Sequence, residues 1–365
     1  MPEDGTQGVS AADMYPLERA IVTHVERPRP GLARVLVRAL TASHEEPAHA
    51  LDPIAATLEL GDDVLLNTAA DRLGLGSSEG HVVVVNLSRP EVRSALSGRE
   101  MKARYTSNQT PVELAASPTA WRDVTLNGAP VVVAELHSAL VPLIAGLRAA
   151  GCARPVAYVM PDWNALPAVL SDSVARLRDL GWMAALITCG QAFGGDVEAA
   201  SLPAGLALAA ESGAPITVVV GGPGHLGGQQ PFGFSSAGQA EALHVAHALG
   251  GQPVLAPRLS QADARERHRG VSHHTLALLE RLLLAAVTVP LPEHTPDAIV
   301  DAVRRAAART ESRVPRVGPV DYRAIAKEAD LVLTSMGRGP EDDPLYFASQ
   351  AAAGAYAAAQ VEGMG

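Results

Sequence analysis

The stretch ITVVVGGPGHLGGQQPFGFS, residues 216–235, decides the reading of this chain: a run of strand length, Ile216 to Val220, leads straight into a loop dense in glycine. A continuous apolar run bounded by turn residues fits a strand buried on both faces, as in a parallel sheet. In open α/β sheets ligands bind in the crevice outside the carboxyl ends of such strands, so a loop in that position marks a site.

The same rhythm extends in both directions. Val131 to Glu135, Val156 to Met160, Met183 to Thr188 and Leu331 to Ser335 are further runs of strand length, separated by helix-length text. The helices carry boundary marks: Ser171 before and Gly181 after one, Ser236 with Gln239 as a capping box and Gly250 as terminator of another, and Thr295 followed by Pro296 at the start of a third. The alanine-rich residues 348–360 read as a closing helix. Right-handed crossovers between such strands predict a Rossmann-like, doubly wound, mostly parallel sheet over residues 129–365.

Upstream the text differs. Residues 15–128 contain short β runs, Arg19 to Val25, Ala33 to Leu40, Ala55 to Leu58, Asp63 to Asn67 and His81 to Leu87, punctuated by Pro28, Pro30 and glycines such as Gly31, Gly61, Gly74, Gly76 and Gly80. Closely spaced strands of this kind predict a small antiparallel β-barrel or sandwich. Residues 1–14, polar and small, read as a flexible tail. The class is α/β, with a β-rich domain ahead of the sheet.

Composition narrows the function classes. At 365 residues, 47% hydrophobic and 19% charged, the chain is ordinary globular text with a sizeable core. Its 39 acidic against 29 basic side chains argue against broad binding to nucleic acid or to an anionic membrane, both of which need a basic face. Cys152 and Cys189 are too few for a disulfide framework, and no signal peptide opens the chain, so the cytoplasm is the expected location. Leu276 to Val289 is interrupted by Glu280 and Arg281 and falls short of the roughly 20 apolar residues of a membrane helix. A homo-oligomer is compatible with all of this.

Several strand ends carry chemistry-bearing residues. Glu135, His137 and Ser138 follow the first α/β strand, Asp162 the second, and Cys189, Gly190 and Gln191 the third, with Asp196 beyond. Arg258 follows the run Pro253 to Pro257, and Arg338 follows the last strand. The glycine loop holds His225 and, as Gly222, Gly224 and Gly227, a formal GxGxxG, whose missing Cβ atoms let backbone N–H groups approach a phosphate. The dinucleotide fingerprint is incomplete. The helix opens near Ser236, well beyond the motif, and the next strand leads to Arg258 rather than an acid, which leaves an anion cradle or a plain ligand-covering loop and no assigned cofactor.

The segment RERHRGVSHHT, residues 265–275, is the second focus. Ser272 is a good N-cap, placing His273 and His274 in a first helical turn where the dipole favours anions and neutral imidazole. With Arg265, Arg267, His268 and Arg269 nearby they read as a locally basic anion site, the bland alternative being a solvated loop whose histidines cap or pack. Cys189, followed by Gly190, has a nucleophile's placement but also that of a buried packing residue. Asp162, Asp196, His225, His273 and His274 are metal-ligand types without diagnostic spacing, so a metal is left unassigned. His244 and His247, three apart, offer a ligand pair or, the plainer reading, an exposed helical face, and MKARYTSNQ, residues 101–109, reads as a lid or a surface loop.

Five segments carry a resemblance: GDDVLLNTAADRLGLGSSEGHVVVVNL (61–87), MKARYTSNQ (101–109), ITCGQAFGGDVEAASLPAGL (187–206), GGPGHLGGQQPFGFS (221–235) and RERHRGVSHHT (265–275). By these the chain resembles the bacterial domain-of-unknown-function family 3866 over nearly its whole length after Tyr15. It departs from the family pattern at Ser107, where a proline commonly follows the RYT triplet, and at Leu202 or Pro203, where an aromatic is common. The resemblance implies the architecture and supplies no reaction.

The expected function is a cytoplasmic hydrolase or group transferase acting on a small anionic or phosphorylated metabolite at the C-terminal rim of the sheet. Its parts are Gly222, Gly224, His225 and Gly227 as cradle, Arg267, Arg269 and Arg338 as charge clamps, His273 or His274 as acid or base, and Cys189 and Asp162 as secondary candidates. The rival readings are a non-catalytic ligand sensor and an assembly subunit.

Overall fold

The computed structural model describes residues 16–40, 42–75, 80–92, 98–228 and 230–362. The expected tail, with Tyr15 and Gly76, lies outside the described residues. The chain divides into two compact units, Met1–Leu96 and Ser97–Gly365.

In the first unit β1 (Leu17–Arg29), β2 (Leu32–Ala39), β3 (Glu46–Leu51), β4 (Asp63–Asn67) and β5 (His81–Asn86) close into a barrel in the order β1-β2-β3-β5-β4, with β4 pairing back to β1. Period-two alternation supplies its core. Ala33, Val35 and Val37 of β2 are buried with Val22, Val64 and Leu66, while Leu36 and Arg38 between them are exposed. Two expectations are corrected here. Ala55 to Leu58 is not a strand: Ala55 lies in a short helix, α1 (Ile54–Thr57), which ends by placing Leu58 in the core. The place it would have filled is taken by β3, EPAHAL, which buries Ala48 and Ala50 but whose proline and charged residue hide its β character. Nor is the barrel wholly antiparallel, since β5 returns beside β3 in the same direction. A second short helix, α2 (Ala69–Arg72), connects β4 to β5.

The second unit opens with an antiparallel hairpin, β6 (Glu100–Lys102) with β7 (Thr110–Val112). Then follow β8 (Pro130–Ala134), α3 (Leu140–Ala149), β9 (Val156–Met160), α4 (Asp172–Asp179), β10 (Met183–Cys189), β11 (Val197–Ala199), α5 (Leu202–Glu211), β12 (Thr217–Val219), α6 (Gln239–Ala248) and β13 (Gln252–Ala256). These six strands form one parallel sheet in the order β11-β10-β9-β12-β8-β13. Every residue of β8 and β9 is buried, as a sheet covered on both faces requires. Val132 and Ala134 join one apolar cluster and Val131 and Val133 the other, because successive side chains point to opposite faces.

The chain then runs through β14 (Leu259–Ser260), β15 (Gly270–Val271), α7 (His273–Ala277), α8 (Asp297–Ala307), α9 (Tyr322–Glu328) and α10 (Pro344–Glu362). Helices α3, α9 and α10 cover the Val132 face, and α5, α6 and α8 the other. Helices α3 and α10 touch backbone to backbone: a Cβ on Gly354 would overlap the carbonyl oxygen of Leu143, and one on Gly146 that of Ala351. No helix of the described residues is long and apolar enough to cross a membrane.

Several boundary marks hold. Ser171 caps α4 by accepting from the Val174 N–H, and Gly181 and Gly250 follow their helices at positive φ. Two readings fail. Leu331 to Ser335 is not a strand, for its middle residue pairs with no neighbour and Val332 is exposed. Ser236 and Gln239 form no capping box, because the Ser236 hydroxyl is engaged by His225 and the Gln239 amide donates to the Ser236 carbonyl.

What positions the site is the winding around β8. The chain leaves β8 for β9, two places away, and later crosses from β12 to β13 on the other side of β8. The carboxyl ends of β12, β8 and β13 therefore stand side by side where the direction of winding reverses, the place where such sheets open a crevice.

Candidate active site

Each of those three ends delivers a functional group. Glu135 is the first residue after β8, Arg258 the second after β13, and His225 sits in the loop after β12. Beyond Arg258 the pairing of β14 with β15 folds the chain back over the same edge. Ser272 then caps α7 by accepting from the His274 N–H, which fixes His273 and His274 in the first turn.

Glu135 is the hub. Its Oε1 accepts from Arg258 Nη1 at 2.6 Å and lies 2.7 Å from His274 Nδ1 and 3.9 Å from His225 Nε2, while its Oε2 is buried without a partner among the described residues. Burial alone would push this carboxyl up; the Arg258 charge and the His274 hydrogen bond reverse that and hold it at about 2. Arg258 is buried as well and donates its Nη2 to Asp263 Oδ2 at 3.1 Å. Asp263, only 1% exposed, also takes Arg265 through both oxygens at 3.0 Å.

The imidazoles gather against this network. The ring centres of His273 and His274 are 4.2 Å apart, and both lie 4.9 Å from His268. Phe234 stacks on His274 at 4.0 Å, closing its apolar side. His268 Nδ1 is 2.8 Å from Ser272 Oγ, and His225 Nε2 is 2.9 Å from Ser236 Oγ. Burial first, then the neighbouring arginines and His274, lowers His268 to about 3, and burial likewise lowers His225 and His273. One ligand atom from each of His268, His273 and His274 lies within 4.8 Å of the others, as does one from each of Glu135, His225 and His274.

A family model for proteins of unknown function, DUF3866, matches residues 48–354. The chain belongs to this family. No curated protein and no solved structure matches it. The whole cluster, from Glu135 to His274, lies inside the matched span of this DUF3866 protein.

The remaining candidates are distributed unevenly. Arg267 Nε reaches His268 Nε2 at 3.4 Å, and Arg269 donates to the Asp263 carbonyl at 3.3 Å; both side chains are exposed beside the cluster. Arg338 lies 3.7 Å from Asp263 and 3.5 Å from Asp343 and so belongs to the same network. Of the glycines, Gly222 is required by the fold, since a Cβ there would meet the Ala165 carbonyl at 2.5 Å. Gly224 has φ +78° with open space around it, and Gly227 bridges to Phe234, so the loop closes on itself.

Asp162 and Cys189 are not brought to the cluster. Asp162, itself exposed, accepts from the Gln191 N–H beside the half-buried Gly190. Cys189 packs in the apolar cluster against Gly205, and burial pushes its thiol up to about 12. Asp196 pairs with Arg178, and His244 accepts from the Leu284 N–H instead of joining His247. In residues 101–109, Lys102 is buried against Glu198 and two carbonyls while Tyr105 is exposed. A cavity of about 540 Å³ opens at the amino ends of the strands, among Asn127, Arg154 and Pro215, with none of the candidate residues in it.

Asp263 was invisible in the sequence, since nothing local marks a carboxylate that three arginines will surround. For Glu135 and Arg258 a signal existed: each is a charge within two residues of the end of a run that is buried almost throughout.

Proposed function

We propose that this DUF3866 protein is a cytoplasmic hydrolase or group transferase that takes a small anionic or phosphorylated metabolite at the C-terminal rim of a Rossmann-like sheet. One observation carries the reading: Glu135 and His274, 139 residues apart, meet at 2.7 Å beside Arg258 where the winding of the sheet reverses. Buried charged and imidazole groups collected at such a rim, with shifted protonation, are the material of acid–base and transfer chemistry. The preference for an anion rests on local charge. Arg258, Arg265 and Arg338 pair with the carboxylates of Glu135, Asp263 and Asp343, and Arg267 and Arg269 add positive charge beside them, with Glu266 as their acidic neighbour, on a protein whose net charge is −10. Arg265, Arg267 and Arg269 are the exposed members, and of these Arg265 is tied to both oxygens of Asp263, so Arg267 and Arg269 supply the contacts a phosphate would take. Both cysteines are free and buried, which suits a reducing compartment.

The test is a thermal-shift screen against phosphorylated metabolites, followed by turnover of each hit. A ligand at a hundred times its dissociation constant stabilises by about 2.7 kcal/mol. The expected result is a hit that is also converted, with Glu135→Gln retaining binding and losing most turnover. A ligand bound tightly by the wild-type protein and never converted would overturn the enzymatic reading in favour of a sensor.

A further inference from the structure

We propose that His268, His273 and His274 form a site for one divalent transition-metal ion of the zinc class, with Glu135 orienting His274 from behind. The inference deepens the preceding reading by naming the cofactor of the same centre, and rests on it only for placing the chemistry at this edge.

Three features of the cluster point the same way. The three ligand atoms already lie within 4.8 Å of one another, and tetrahedral coordination at the usual zinc–nitrogen distance needs about 3.3 Å, a closure of at most about 1.5 Å. Two of the rings have one nitrogen committed. His274 Nδ1 faces Glu135 and His268 Nδ1 faces Ser272, which leaves Nε2 of each for a ligand role. This is the arrangement by which a carboxylate or hydroxyl fixes the tautomer of a metal-binding histidine. The third feature is an orphan: His273 Nε2 is buried with no partner among the described residues, and so is Oε2 of Glu135, itself only 3% exposed. A buried polar atom without a partner costs free energy that a bound cation and its water would remove.

The donor set selects the ion. Three imidazoles suit zinc, cobalt or nickel and are poor ligands for magnesium or calcium, which take oxygen. The adjacent Arg258 does not forbid a cation, because Glu135 and Asp263 both neutralise it. The Arg267 contact to His268 Nε2 is long, 3.4 Å, and comes from an exposed side chain free to turn away. The overlapping group of Glu135, His225 and His274 is the weaker site: Glu135 Oε1 is held by Arg258, and His225 Nε2 by Ser236. Three protein ligands leave a fourth position for water or substrate, the pattern of catalytic zinc sites. With the ion bound, His273 and His274 act as ligands and not as proton carriers.

The experiment uses the full chain, stripped with a chelator and titrated with Zn²⁺ and with Co²⁺. The expected result is one equivalent bound, a raised Tm, and for Co²⁺ the intense visible absorption of a four-coordinate site. His273→Gln, in a half-buried position that tolerates change, lowers affinity at least about a hundredfold, and Glu135→Gln lowers it roughly 10–100-fold. Failure of folded wild-type protein to bind an equivalent of either ion overturns the inference. So does binding that His273→Gln leaves intact, or that His225→Gln abolishes as completely as His273→Gln does. Full turnover by chelated protein would remove the metal and keep the enzyme; stoichiometric metal without turnover of any screened metabolite would do the reverse.

Discussion

Replacing Arg258 by methionine tests the electrostatic centre of the site. Methionine fills a similar volume and removes both charge-assisted hydrogen bonds, to Glu135 at 2.6 Å and to Asp263 at 3.1 Å. The two carboxylates are not equally harmed. Asp263 keeps both contacts from Arg265, whereas Glu135 keeps only His274 on the oxygen it used and has an unpartnered second oxygen. Orphaning one member of a buried ion pair costs about 3–5 kcal/mol, and because one of the two acids is spared we expect about 3–4 kcal/mol. The second variant is the double mutant Arg258→Met, Glu135→Gln, which carries no orphan charge. Its cost falls short of the sum of the single costs by about 2 kcal/mol, within the range for groups in direct contact. Urea unfolding followed by tryptophan fluorescence reads the correct unit, since Trp121, Trp163 and Trp182 all lie beyond residue 97. A single-variant cost below about 1 kcal/mol, or costs that simply add, would refute the buried-pair account.

Gly354→Ala, which raises helix propensity by about 1 kcal/mol, nevertheless destabilises by about 1–3 kcal/mol, because the new methyl meets the Leu143 carbonyl; a raised urea midpoint would contradict the close packing of α3 on α10. His137 is held below its usual 6.5, by burial against the opposing Gly221 hydrogen bond, so below pH 6.5 the unfolded chain binds the extra proton. Stability conferred by neutral His137 is thus lost as pH falls through that value, with a slope approaching about 1.4 kcal/mol per pH unit, and His137→Gln makes the decline in urea midpoint shallower. With Cys189 pushed up to about 12 by burial and Cys152 buried too, neither thiol of the native protein reacts with a disulfide reagent at mildly alkaline pH until it unfolds. Cys189→Ala keeps turnover; rapid labelling or lost turnover would restore a nucleophile's role.

Reading along the chain succeeds where burial alone dictates residue type. Val156 to Met160 and Asp63 to Asn67 match their strands residue for residue, because a strand covered on both faces, or lining a barrel, leaves a signature within five residues. It fails where partners decide. Nothing in EPAHAL says that β2 and β5 will pair with it, and nothing in Leu331 to Ser335 says that no strand lies alongside.

The candidate site divides on the same line. Sequence by itself determined that the ends after residues 134, 219 and 256 carry an acid, a histidine and an arginine, and that Ser272 caps a turn holding two histidines. Only the tertiary structure decided that β12, β8 and β13 are neighbours, that Glu135 takes both Arg258 and His274, and that Cys189 and Asp162 stay apart from them. The physical reason is that residue types and periodicity encode burial locally, whereas the pairing of distant charges depends on strand order, which is set by the packing of the whole sheet.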